Sequence, residues 1–139
     1  VHSMIRTKEG AVYAQMSPPD MTLPIISALS DGVIELENVV SPLSFDNLNL
    51  TFEAPDTHRF PLLSLAYKAL EIGGSATIAY NAADEVAVNA FMNGLIPYSR
   101  ISEVVERTIL DSTFVESVSN YSETIKKDRI ARIIANRAL

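Results

Sequence analysis

The sequence predicts a mainly α protein: a C-terminal four-helix bundle preceded by a β-hairpin broken from a larger sheet and by a long linker. Three observations carry that prediction. Apolar residues recur with a helical period in four segments from Phe60 onward. No helical period persists from about Ser30 to Asp56. The first sixteen residues hold two short strand-like runs, and an isolated hairpin cannot bury both of its faces.

Taken in order, Ser3 to Arg6 and Ala11 to Gln15 are the strands, joined through Lys8-Glu9-Gly10. Ser17-Pro18-Pro19-Asp20-Met21 is a loop, because two prolines cannot continue a strand. Thr22 to Leu29 forms a short helix that tolerates Pro24 only in its first turn. Asp31-Gly32, Pro42, Asn47 and Pro55 punctuate the next stretch, where only Leu48, Leu50 and Phe52 alternate like a strand. So long a connection reads as a linker crossing a surface.

The helices follow. Pro61 suits the first helical position, Phe60, Leu63, Tyr67 and Leu70 share one face, and Gly73-Gly74 ends the helix. The second runs from about Ala76 to Asn93 with Ala79, Ala82, Ala83, Val86, Ala87, Ala90 and Phe91, small residues that admit a close neighbour. The third starts with Ser99 as its cap and buries Ile101, Val104, Val105 and Ile109. The last spans about Tyr121 to Ala138, with Ile125, Ile130, Ile133 and Ile134 apolar. Short connections between them point to a bundle.

At 47% hydrophobic and 20% charged, 139 residues can bury a core and do not read as disordered. No apolar run approaches bilayer length, so no membrane association is expected. The opening residues do not read as a signal peptide, and beginning within a strand they suggest a piece of a longer protein. The absence of cysteine excludes disulfide scaffolds, thiolate metal sites and cysteine nucleophiles.

The net charge is −6, yet Lys126, Lys127, Arg129, Arg132 and Arg137 have only Asp128 among them. Such a helix could touch nucleic acid. The plainer reading is a solvated face with cations near a helix C-terminus, and no nucleic-acid partner is expected.

Chemistry is sparse. The five glycines fit neither a phosphate loop nor a dinucleotide fingerprint. His2 and His58 share no metal motif; His58 reads as a solvated loop residue, and no metal ligands or catalytic residues are assigned. Asn81, Asp84 and Glu85 interrupt an apolar helix. A paired-carboxylate site is one reading, but adjacent helical residues diverge by about 100°. The expected role is to satisfy backbone groups where the linker or another helix terminates. By physics alone His2 is an edge-strand polar residue and Met21 a gap-filler.

Four motifs carry a resemblance. His2-Ser3-Met4-Ile5-Arg6, Pro19-Asp20-Met21, the segment Leu50-Thr51-Phe52-Glu53-Ala54-Pro55-Asp56 with Arg59-Phe60-Pro61, and Asn81-Ala82-Ala83-Asp84-Glu85 stand in register from residue 1 to about residue 110. Together they resemble the 1-deoxy-D-xylulose 5-phosphate reductoisomerase family. Asp84 stands where the family usually has asparagine, and Met92 where leucine is common.

The resemblance implies that residues 1–30 end a central α/β catalytic domain, 31–56 link, and 57–139 form the helical bundle. It implies an oxidoreductase and isomerase of non-mevalonate isoprenoid biosynthesis, a homodimer found in bacterial cytoplasm or in plastids. The enzyme would convert 1-deoxy-D-xylulose 5-phosphate to 2-C-methyl-D-erythritol 4-phosphate with NADPH and Mg²⁺ or Mn²⁺. By the same resemblance His2 borders the substrate pocket, while Pro19 and Met21 belong to a loop near the nicotinamide. The main cofactor and metal sites would lie upstream, leaving this chain inactive alone. The alternative is a non-catalytic helical module contacting protein or nucleic acid through residues 126–137.

Overall fold

A computed structural model describes residues 1–30 and 41–139. Strands β1 (Ser3–Arg6) and β2 (Val12–Gln15) and helix α1 (Thr22–Ser30) lie in one unit, Val1–Phe52. Helices α2 (Pro61–Ile72), α3 (Ala76–Met92), α4 (Arg100–Ile109) and α5 (Tyr121–Ala138), with a 3₁₀ turn at Ser112–Phe114, lie in a second, Glu53–Leu139. The mainly α architecture with a leading hairpin is as the sequence predicts. The first ten residues of the linker expected over 31–56 lie outside the described residues. No described helix is long and apolar enough to cross a membrane.

In the first unit β1 and β2 pair antiparallel, Ser3 opposite Gln15 and Arg6 opposite Val12. The turn closes with Thr7 N–H donating to Ala11 O at 2.9 Å. Every strand residue is exposed, Met4, Ile5, Val12 and Tyr13 included, so neither face of the hairpin is covered. The alternation of Leu48, Leu50 and Phe52 does not become a strand. Alternation alone supplies no hydrogen-bonding partner.

In the second unit α3 is the central helix, packed most extensively on α4 and α5. Its seam is Ala76, Ala79, Ala82, Ala83, Ala87 and Ala90, all buried. Opposite it stand Ile101, Val104, Val105 and Ile109 of α4 and Ala131, Ala135 and Ala138 of α5. Phe114, fully buried, fills the end of this core.

Two predicted faces are different in the structure. On α2 the expected stripe points outward, Tyr67 63% and Leu70 64% exposed, and Leu65 and Ala69 are buried instead with Leu62 and Ile72 packed beside them. Both sets have helical spacing, so periodicity alone could not choose between them. On α5, Ile130 and Ile133 are exposed, Ile134 packs on the core rim, and the alanines take the centre. Close approach of α3 leaves room only for a methyl group.

Caps also differ from expectation. Ser99 already has helical φ/ψ and makes no side-chain cap bond. The strong cap is on α5, where Asn120 Oδ1 accepts Glu123 N–H at 3.0 Å and Glu123 accepts Ser119 N–H at 2.8 Å.

Candidate functional site

The first unit gathers the chemistry. His2 immediately precedes β1, and its N–H donates to Gln15 O at 2.9 Å, so hairpin pairing fixes its backbone. Its Nε2 lies 2.6 Å from Ser17 Oγ and 3.2 Å from Pro18 O. Ser17 is 8% exposed, and its hydroxyl also reaches Pro18 O at 3.2 Å. That carbonyl accepts Asp20 N–H at 2.7 Å. Asp20 Oδ1 in turn accepts Thr22 N–H, at 2.7 Å, where α1 begins. The Thr22 hydrogen bonds hold the Asp20 carboxyl below its usual range, and His2 nearby adds to the effect.

His2, Ser17 and Pro19 line a cleft of about 330 Å³ with Met16, Leu48 and Leu50. Two of the three residues singled out from the sequence, His2 and Pro19, therefore share one concavity. Met21 does not line it and is 57% exposed. Ser17, which links histidine to loop, was not singled out. A serine before two prolines carries no signal until the hairpin brings residue 2 beside it.

The polar residues of α3 form a different arrangement. Asn81 Nδ2 donates to Glu85 Oε1 at 3.1 Å, and Arg132 of α5 donates to Glu85 Oε2 at 2.7 Å and to Asp128 Oδ2 at 2.9 Å. Asn81 and Glu85 thus meet side chains, not the backbone groups expected of them. Arg132 and Asn81 hold Glu85 below its ordinary range, and the two carboxylates keep Arg132 charged. Asp84 stands apart. Burial, then the neighbouring Glu85 charge, pushes its carboxyl up, and its Oδ1 is shut from solvent with no hydrogen-bond partner among the described residues.

The basic stretch is partly spoken for as well. Lys127 Nζ donates to Thr113 O at 2.6 Å and Glu116 at 3.0 Å, and Arg132 is committed as above. His58 is exposed in a loop where its N–H donates to Asp56 Oδ1 at 3.0 Å. It lines a mostly apolar crevice of about 250 Å³ with Arg59, Phe60, Tyr98 and Ser102. Among the described residues no group of three or more His, Asp or Glu side chains could hold a metal ion.

The chain is similar to proteins of one known family. Residues 16–134 match the DXP reductoisomerase C-terminal domain. The 1-deoxy-D-xylulose 5-phosphate reductoisomerase of Thermodesulfovibrio yellowstonii is 39% identical over 140 residues, covering 100% of this chain and 36% of that protein. The Methylobacillus flagellatus protein of the same name is 44% identical over 134 residues, covering 95% and 33%. Among solved structures, the Zymomonas mobilis reductoisomerase in complex with NADPH superposes with a TM-score of 0.76 at 36% identity, over 99% of this chain and 36% of that one. A DOX-P reductoisomerase in complex with magnesium gives 0.72 at 32% identity, over 98% and 36%. The chain spans about a third of the length of the relatives it matches.

Proposed function

The chain belongs to the DXP reductoisomerase family, and on that premise we propose that it is the C-terminal portion of an enzyme converting 1-deoxy-D-xylulose 5-phosphate to 2-C-methyl-D-erythritol 4-phosphate. The observation that carries this reading is the match of residues 16–134 to the family's C-terminal domain. NADPH and Mg²⁺ or Mn²⁺ are the cofactors of the whole enzyme; bound, they supply the hydride and polarise substrate oxygens. Their principal ligands are assigned, on the family resemblance, to the part of that enzyme upstream of Val1.

Within the chain, His2 is assigned to the edge of the substrate site and the Pro19–Met21 loop to the neighbourhood of the nicotinamide. The cleft shared by His2 and Pro19 supports the first assignment. The exposed thioether of Met21, free to lie against an aromatic ring, supports the second. Residues 1–30 serve as the end of the catalytic domain, 31–56 as the linker and 57–139 as the bundle. The uncovered hairpin supports a homodimer with its sheet completed by further strands.

The test is an NADPH-oxidation assay with 1-deoxy-D-xylulose 5-phosphate and Mg²⁺. The full-length protein is expected to turn over and residues 1–139 alone are not. Turnover by the short chain, or none by the full-length protein, would overthrow the reading.

A further inference from the structure

We propose that Ser17 is a positioning residue: it holds the His2 ring with Nε2 protonated and leaves Nδ1 as an acceptor for a substrate hydroxyl. The inference rests on the reading of His2 as a substrate contact. Three polar atoms make a triangle: His2 Nε2 is 2.6 Å from Ser17 Oγ and 3.2 Å from Pro18 O, and Oγ is 3.2 Å from that same carbonyl. A carbonyl can only accept, and this one already takes Asp20 N–H at 2.7 Å. Were Nε2 unprotonated, the serine hydroxyl would supply the one hydrogen among three sets of lone pairs. With Nε2–H, all three contacts have a donor: the ring donates to Oγ and, more weakly, to Pro18 O, and the hydroxyl donates to Pro18 O.

Ser17 is buried at 8% exposure, so water does not readily replace this partner. The bond that one ring nitrogen makes fixes the state of the other. A neutral ring with Nε2–H keeps a lone pair on Nδ1, which suits a hydroxyl of a polyol phosphate and not the phosphate itself. The relay continues through Pro18 O to Asp20 N–H, so the histidine and the Pro19–Met21 loop are held by one chain of hydrogen bonds.

The experiment uses the full-length enzyme. Ser17→Ala is expected to raise KM for 1-deoxy-D-xylulose 5-phosphate about three- to tenfold, the worth of one hydrogen bond. Ser17→Thr, which keeps the hydroxyl, restores it. In a His2→Gln background Ser17→Ala costs nothing further if serine acts through histidine; additive losses overturn the proposal. An ¹⁵N-histidine spectrum near neutral pH reads the pairing without activity: a protected Nε2–H resonance, assigned by its loss in His2→Gln, disappears in Ser17→Ala and persists in Ser17→Thr. A resonance untouched by Ser17→Ala overturns the pairing. A resonance that responds while His2→Gln leaves KM unchanged overturns the substrate role of His2 instead.

Discussion

Asp84 is the residue whose surroundings suit it least. Its carboxyl is pushed up by burial and by Glu85, and among the described residues no donor reaches its solvent-shielded Oδ1. It also raises the Tyr80 hydroxyl, after that group's own burial, although Tyr80 is anchored by donating to Leu62 O at 3.0 Å. A carboxyl raised in the folded state binds its proton more readily folded than unfolded. Its contribution therefore opposes folding above the folded pKa, and stability is regained as pH falls toward the ordinary aspartate range. Asp84→Asn, which adds a donor and removes the charge, is expected to stabilise the bundle by about 1 kcal/mol near neutral pH. Thermal unfolding across pH checks this: the advantage should shrink on acidification, and a pH-independent difference would contradict the assignment. The departure at Asp84 was visible in the sequence through the family resemblance. Its missing partner was not, because that depends on how deeply the helix turns the residue inward.

At the scale of elements, the α2–α3 joint is the most constrained. Ser75 N–H and its hydroxyl both donate to Phe114 O, at 3.0 and 3.3 Å, drawing the 3₁₀ turn onto the joint. Gly74, at φ +55, would place a Cβ 2.7 Å from the Val115 carbonyl carbon and 2.8 Å from Phe114 O, with Val115 O closer still. Gly73, at φ +70, faces open space. Gly73→Ala is expected to cost about 1–3 kcal/mol from the backbone alone, because φ +70 with ψ −148 is a conformation essentially reserved for glycine. Gly74→Ala should cost at least about twice that, since backbone atoms must also move. Parallel denaturant unfolding of the two variants tests the contrast; equal losses would mean that the turn yields easily. The alanine seam gives a second test. Ala83→Leu or Ala131→Leu is expected to destabilise by about 1–3 kcal/mol through overpacking, whereas Leu70→Ala on the exposed face of α2 should change little, as chemical denaturation of the three variants would show.

The sequence made these elements legible in unequal measure. Helix limits were readable because Pro61, Gly73-Gly74, Asn93-Gly94 and the spacing of Ile101 to Ile109 are local signals. Which face of α2 turned inward was not, since that depends on the partner helix. On α5 the large isoleucines misled because burial here is limited by room, and room is a property of the pair. At the site, His2 and Pro19 were legible only by resemblance. Ser17 needed the hairpin register to bring it beside His2.

At the scale of the whole molecule, much apolar surface stays open: Met4, Ile5, Val12 and Tyr13 on the hairpin, and Phe60, Tyr67 and Leu70 on the bundle. Residues 1–139 in isolation are expected to self-associate through the hairpin, whose strands pair only with each other among the described residues. Sedimentation velocity over a concentration series checks it, and a strictly monomeric profile counts against it. Substituting Ile5→Lys and Tyr13→Lys together should suppress the association. With Lys127 and Arg132 already paired to carboxylates within the bundle, duplex DNA titrated at moderate salt is expected to show no salt-sensitive binding.

The alanine seam also sets how the bundle handles force. Methyl groups have no rotamers to rearrange, so where the alanines of α3 meet those of α5 little side-chain layer is left to absorb a displacement. A displacement of α5 is therefore expected to carry α3 with it, the two helices moving as one stiff pair.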